Sequence, residues 1–312
     1  MKFWGVAVAL IAIGAIALFA IQRIPAQRPD IAFGPTADPE LADPDNRLRV
    51  YPYDLARLEQ EFPLTRAQML QLTPGNLKSF TQDELDQIYG RLSAGPIPDG
   101  PFQGSLIFPR GGAQNLVPRL QEVLGGIGGK IAAEKIETVE KVGEVLWKGK
   151  SFNRETKVLR NFIEDLAVFG PLIDDPDALE TAVVPRGGWL GWLRPTTTVR
   201  LMFPAKIYCG QSLMDGRRES VIIDYAYADE LPGYQANPDA LAGRNGLRVR
   251  DEIRMIRPGL YLGRAYTNRI FLLNFFLYNE EIANAGAEAY GTGSPVTEEC
   301  WVGEQLRQTL LQ

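Results

Sequence analysis

The pattern of apolar and polar positions divides the chain into stretches of different character. Phe3 to Ile21 is apolar throughout and carries no charge; about 20 such residues are what a helix needs to cross a bilayer core. From Pro25 to Pro63 the periodicity dissolves into recurrent prolines, among them Pro29, Pro35, Pro39, Pro44 and Pro52. That density opposes helices and central strands and favours an extended tether. Residues 64–146 then read as mainly helical. Thr65 is placed to cap a short helix near Ala67 to Leu72, and Thr81 with Glu84 makes a capping box ahead of Leu85, Ile88 and Leu92. Leu116, Leu120, Val123, Ile127 and Ile131 keep helical spacing. The glycines at 125, 126, 128 and 129 interrupt them, each costing a helix interior about 1 kcal/mol relative to alanine.

Phe102 to Phe108 reads as an early strand, and from Trp147 onward strands dominate. Trp147 to Phe152, Val158 to Phe162, Val199 to Cys209 and Glu219 to Tyr227 are the first of these. Asp215-Gly216 supplies a hairpin-type turn between the last two. Gly246 to Tyr278 adds three more. In its first run Arg248, Arg250, Glu252 and Arg254 alternate with Val249, Asp251, Ile253 and Met255, so one face is a charged row. Pro258-Gly259 ends that run, Leu260 to Tyr266 follows, and Ile270 to Tyr278 is almost wholly apolar. Alternation marks a half-buried strand and a continuous apolar run a more buried one.

The expected fold class is therefore α+β. Residues 1–24 form a transmembrane anchor or signal, 25–63 a linker, and 64–312 a single globular domain. Its helices lie mainly in 64–146 and its strands mainly in 147–278. The strands are expected to form a curved antiparallel sheet or open β-barrel, covered by helices over 114–146. The apolar region of a cleaved signal usually runs only about 7–15 residues, so the length of Phe3 to Ile21 favours an uncleaved anchor. Lys2 on one side and Arg23 and Arg28 on the other leave the positive-inside rule undecided. Similarity to ordinary N-terminal export anchors places the domain outside the cytoplasm, in a periplasmic setting.

Composition narrows the chemistry. The chain has 312 residues, is 45% hydrophobic and carries a net charge of −5. A hydrophobic content of that size can bury a core, and a mildly acidic chain is a poor nucleic-acid ligand. It contains no histidine, which removes Ser-His-Asp and Cys-His catalysis, imidazole zinc sites and histidine pH switching. Gly210-Gln211-Ser212-Leu213-Met214 lacks the second glycine of a nucleophile elbow. Gly149-Lys150-Ser151 ends like a phosphate loop but lacks its leading glycine, where Glu144 stands. No metal site and no cofactor are implied, and binding is favoured over catalysis. Cys209 and Cys300 are either a disulfide, if the domain is exported, or two free thiols.

Two features are candidates for ligand contact. Trp189 and Trp192 lie in a glycine- and proline-bounded loop, the setting of a pocket cover, a membrane-dipping loop or a loop tucked into the core. The row Arg248, Arg250, Glu252 and Arg254 either points into a barrel mouth, where Arg forks hold an acidic headgroup, or out to solvent. Trp147 to Phe152 (WKGKSF) and Gly259 to Tyr266 (GLYLGRAY) resemble the short Gly/aromatic strand motifs of calycin-like β-barrels, the group of lipocalins and fatty-acid-binding proteins. The first is also similar to the domain of unknown function named for its Gly-x-Trp-x-Gly motif. The resemblance implies antiparallel strands wrapped around an apolar ligand. The expected function is thus binding of a lipid or amphipathic small molecule in a barrel-like cavity. Tyr225 and Tyr261 join the Arg row and the two tryptophans as contacts, with the acidic head near the Arg row. The alternatives are an envelope interaction or structural domain without ligand and, third, a histidine-free hydrolase.

Overall fold

The computed structural model describes residues 27–35, 54–107, 147–164, 166, 173, 175–185 and 196–301. Nine strands make one antiparallel sheet: β1 (Gly100–Ile107), β2 (Trp147–Asn153), β3 (Val158–Ile163), β4 (Thr181–Pro185), β5 (Thr196–Gln211), β6 (Glu219–Asp224), β7 (Val249–Arg257), β8 (Leu260–Thr267) and β9 (Ile270–Tyr278). The order is β3-β2-β1-β9-β8-β7-β6-β5-β4, and β3 also pairs with β5. That extra pairing closes eight strands into a barrel and leaves β4 as an appendage on β5.

Closure depends on the length of β5. Its first half pairs with β4, from Thr196 to Arg200, and its last residues pair with β6, from Lys206 to Gln211. The opposite edge, Arg200 to Lys206, takes β3 with a register shift between Leu159 and Asn161. Phe203 sits in this bend with φ of 53°. A bulge of this kind bends a strand and increases its twist, which is how one strand serves three neighbours. A closed barrel has no free sheet edge among its eight strands.

The closed barrel corrects the expected fold class. Strands dominate, the sheet is closed rather than an open barrel, and the described helices are short. They include α1 (Leu55–Glu61), α2 (Arg66–Gln71), α3 (Pro74–Leu77), α4 (Gln82–Gly90) and α5 (Glu280–Gly291). Among the described residues no helix is long and apolar enough to cross a membrane. The apolar run Phe3 to Ile21 and the helices expected over 114–146 lie outside the described residues. Where local signals were read, the caps are in place: Thr65 begins α2 and Thr81 with Glu84 makes the capping box of α4.

Two apolar layers hold the barrel. Inside, Phe102, Phe152, Ile207, Ile253, Met255 and Leu277 belong to one core. The rings of Phe152 and Tyr261 each meet Phe102 edge-on, at 5.7 and 5.8 Å. Outside, Leu72, Leu77, Phe80, Leu85 and Ile88 from the helical segment pack against Ile256, Leu260, Leu262 and Phe276. β9 is therefore apolar on both faces because both are covered, and this is why Ile270 to Tyr278 lacks alternation.

Cys209 and Cys300 form a disulfide across a sequence separation of 91. It ties the segment after α5 to β5, and Cys300 is itself buried in the inner core. Closing a loop of this length restricts the unfolded chain, typically by about 2–4 kcal/mol. Reduction, or the Cys300→Ala substitution, is expected to lower the urea-unfolding free energy by that amount. An unchanged midpoint with both thiols titratable would remove the bond from the list of stabilising features.

Candidate ligand-binding cavity

Alternation in a barrel sends every second side chain inward. Toward one end, the inward residues leave a cavity of about 310 Å³. Its walls are mostly apolar, with Leu106, Trp147, Phe203, Val249, Leu273 and Phe275 among them. Leu241 and Leu247, from the connection between β6 and β7, also line it, and Leu241 is exposed. Two glycines make room for its aromatic walls. A Cβ on Gly104 would come within 2.3 Å of the Trp147 ring, and one on Gly263 within 2.2 Å of the Phe275 ring. The rings thus lie against bare backbone and meet edge-on at 5.6 Å.

A buried polar cluster adjoins these walls. Lys150 and Asn161 are direct cross-strand partners on β2 and β3. The Lys150 ammonium donates to Asn161 Oδ1 at 2.8 Å, to the Tyr225 hydroxyl at 2.7 Å and to Asp251 Oδ2 at 2.9 Å. Asn161 Oδ1 accepts a further bond from Trp147 Nε1 at 3.0 Å, and Asn161 Nδ2 donates to Phe203 O and Tyr225 Oη. Lys150 also lies 5.4 to 5.5 Å from the ring centroids of Trp147, Tyr225 and Phe275. The cluster therefore ties β2 and β3 to β7 across the lumen.

Burial opposes the Lys150 charge, but the attraction of Asp251 and the bonds to Tyr225 and Asp251 outweigh it and hold its pKa above the ordinary amine value. Burial likewise pushes the Tyr225 hydroxyl up to about 12, with the Asp251 charge adding to it and Lys150 opposing. At neutral pH Lys150 is thus an ammonium and Tyr225 a neutral phenol. Lys150 is not the free amine that Schiff-base chemistry needs.

The arginine row lies elsewhere. Arg250, Glu252 and Arg254 project from the outer face of β7, away from the cavity, and Glu252 and Arg254 are completely buried. Arg254 donates to the Tyr89 carbonyl at 3.1 Å, near the end of α4, and to Ser220 Oγ at 3.0 Å. On the same strand Arg257 donates to the Leu72 carbonyl at 3.1 Å, just past α2. Helix ends leave carbonyls unsatisfied and carry partial negative charge, so guanidinium groups belong there. Glu252 accepts from Ser212 Oγ and Leu213 N at 2.7 and 2.8 Å, and Arg250 donates to Gln211 O and Glu252. Arg248 is exposed, with its Nε bonded to Arg244 O. Beyond the exposed Arg248 the row faces neither the cavity nor open solvent: Arg254, with Arg257 after it, seats the helices on the barrel.

Of the other expected contacts, Tyr225 lines the cavity. Tyr261 is buried in the packed part of the lumen and donates to Pro96 O at 2.8 Å. Trp189 and Trp192 lie outside the described residues. Sequence reasoning passed over Lys150, Asn161 and Asp251. The available signal was Asp251, a lone charge on the face otherwise made of Val249, Ile253 and Met255.

A second hollow, of about 390 Å³, includes Ser93, Arg217, Arg218, Glu219, Glu298 and Trp301. Its charges are largely engaged: Arg217 pairs with Asp215, Arg218 with Glu59, and Glu298 accepts from Ser93. Among the described residues no group of three or more acidic or cysteine side chains is arranged to hold a metal ion. No family model, curated protein or solved structure matches the chain. The class of protein rests on the architecture alone: a closed eight-strand antiparallel barrel, compatible in form with the calycin-like barrels that its strand motifs resemble.

Proposed function

We propose that the barrel is a binding domain for a small amphipathic molecule, held with its apolar body between Trp147, Phe275 and Leu273. The observation that carries this reading is an apolar cavity of about 310 Å³ with a few convergent polar groups at its wall. That combination is the usual form of a small-molecule site, and the volume is at the lower end of the range for such sites. At about 30 Å³ per water-sized group it holds roughly ten such groups. This suits one short chain or a compact ring system better than a two-chain lipid. The absence of histidine from the sequence and the full hydrogen bonding of Lys150 favour binding over turnover. We further place the domain outside the cytoplasm, held by Phe3 to Ile21. The Cys209–Cys300 bond supports an oxidising compartment. A reporter fused after Arg23 and active only in the cytoplasm would overturn that placement.

The test is saturable uptake of a fluorescent medium-chain probe by the purified protein, with native mass spectrometry of protein extracted from membranes. The expected result is one probe per chain. Ala265→Phe, which fills the cavity wall, is expected to weaken uptake at least tenfold while the far-ultraviolet circular dichroism stays unchanged. Wild-type protein that takes up no probe and is recovered repeatedly without a ligand would refute the binding reading.

A further inference from the structure

We infer that the cavity selects a neutral ligand bearing a hydroxyl donor, an alcohol rather than a carboxylic acid. This rests on the binding reading above and deepens it. The donors and acceptors of the polar wall decide which ligand it takes. Lys150 has three N–H groups, and all three are bonded, to Asn161, Tyr225 and Asp251. Both N–H groups of Asn161 are bonded, to Phe203 O and Tyr225 Oη, and the Trp147 N–H goes to Asn161 Oδ1. The Tyr225 hydroxyl lies 3.3 Å from Asp251 Oδ2 and 3.4 Å from Asn161 Oδ1, so its own proton is directed within the cluster.

No donor of these four side chains is left for an incoming carboxylate. What is left is an acceptor. Asp251 Oδ2 takes the bonds from Lys150 and Tyr225, whereas Asp251 Oδ1 has no hydrogen-bond partner among the described residues. Asp251 is only 4% exposed and lines the cavity. Asp251 Oδ1 keeps surface open to the cavity, so a ligand that displaces water there either supplies a donor or leaves a carboxylate oxygen unpaired, and a bond to a charged acceptor is worth more than one between neutral groups.

Charge excludes the other donors. Lys150 and Asp251 neutralise each other, and among the described residues no other charged side chain lines the cavity. A carboxylate ligand brings a second anion beside Asp251. An alkylammonium brings a second cation beside Lys150 with one carboxylate to share. Either leaves a net charge in a low-dielectric site, which is unfavourable. An alcohol supplies one donor and no charge.

The test is displacement of the bound fluorescent probe at pH 7 by four ligands of equal reach: 1-decanol, decanoate, decylammonium and nonyl methyl ether. The alcohol is expected to bind about tenfold or more tightly than each of the other three, the ether being the same body without the donor. Decanoate or the ether binding as tightly as the alcohol overturns the inference and leaves cavity binding standing. Failure of all four to displace a probe that does bind also overturns it, whereas a probe that never binds removes the binding reading itself. The double variant K150M/D251L keeps an apolar wall of similar volume, and in it the alcohol and the ether are expected to bind within about twofold of each other. A retained preference for the alcohol in that variant would assign the donor site to another residue and overturn the role of Asp251. The ligand series on the wild-type protein decides the matter independently of how well that variant folds.

Discussion

Replacing Lys150 with methionine is expected to destabilise the barrel by about 3–5 kcal/mol, the usual cost of removing one partner from a buried ion pair. Lys150 and Asp251 have side chains 3% and 6% exposed and stand 2.9 Å apart. Without the ammonium, Asp251 is left charged in an apolar lumen or must take up a proton, and Asn161 and Tyr225 lose a donor as well. K150M/D251L is expected to recover most of the loss, because two apolar groups of similar volume leave no uncompensated charge. Urea unfolding of the wild type, both single variants and the double variant gives the coupling directly. A K150M variant within about 0.5 kcal/mol of wild type would mean that water already reaches the cluster. It would also remove the basis for treating Asp251 as a buried acceptor.

Raising the pH is expected to unfold the protein between roughly pH 11 and 13, from a typical domain stability of about 5–15 kcal/mol. Burial pushes Tyr225 up to about 12. Burial raises Tyr89 and Tyr261 further, with the nearby charges of Glu252 and Glu299 adding to it. In the unfolded chain each phenol titrates near 10. Above that pH the unfolded state therefore holds fewer protons than the folded one, and stability falls as pH rises. The slope is about 1.4 kcal/mol per pH unit for each such group, roughly 4 for the three together. Lys150 acts in the same sense. Burial works against its proton, but Asp251 and Tyr225 more than compensate, so the folded ammonium persists beyond the unfolded value and its contribution is lost as pH passes the folded one. Tyrosinate absorbance and circular dichroism followed together are expected to change in one step. Full tyrosine ionisation near pH 10 with the fold intact would show these phenols to be solvated.

Local signals carried far into the structure. Thr65 and Thr81 cap the helices they were expected to cap, because a cap needs only its own next three residues. Asp215-Gly216 lies between β5 and β6, and the stretch from Val249 to Tyr278 forms three consecutive antiparallel strands. Period two also separated the two faces of β7 correctly: Asp251 stands with Val249 and Ile253, and Arg250 with Glu252 and Arg254. A charged residue on the apolar face was legible at that stage. Its partner was not, since Lys150 is 101 positions away and on a strand that does not adjoin β7.

The charged row misled for a physical reason. A row of Arg and Glu on one strand face is compatible with solvent, with a cavity or with a covering layer that supplies carbonyl acceptors. Strand periodicity is the same in all three. The covering layer came from residues 66–90, whose helix ends point carbonyls at Arg254 and Arg257. The acid head first placed by the Arg row has no counterpart in the cavity, and the polar wall there rests on one lysine and one aspartate.

The sequence by itself therefore determined the eight strands of the barrel, the turns between several of them, the helix caps of α2 and α4 and the division of β7 into two unlike faces, all of which depend on neighbours a few positions apart. Only the tertiary structure decided closure, through the pairing of β3 with β5, and with it which face of β7 became the lumen. It also decided that Lys150, Asn161, Tyr225 and Asp251 meet there. Those outcomes depend on contacts between distant strands, whose free energy appears only when the barrel is assembled and water has left its interior.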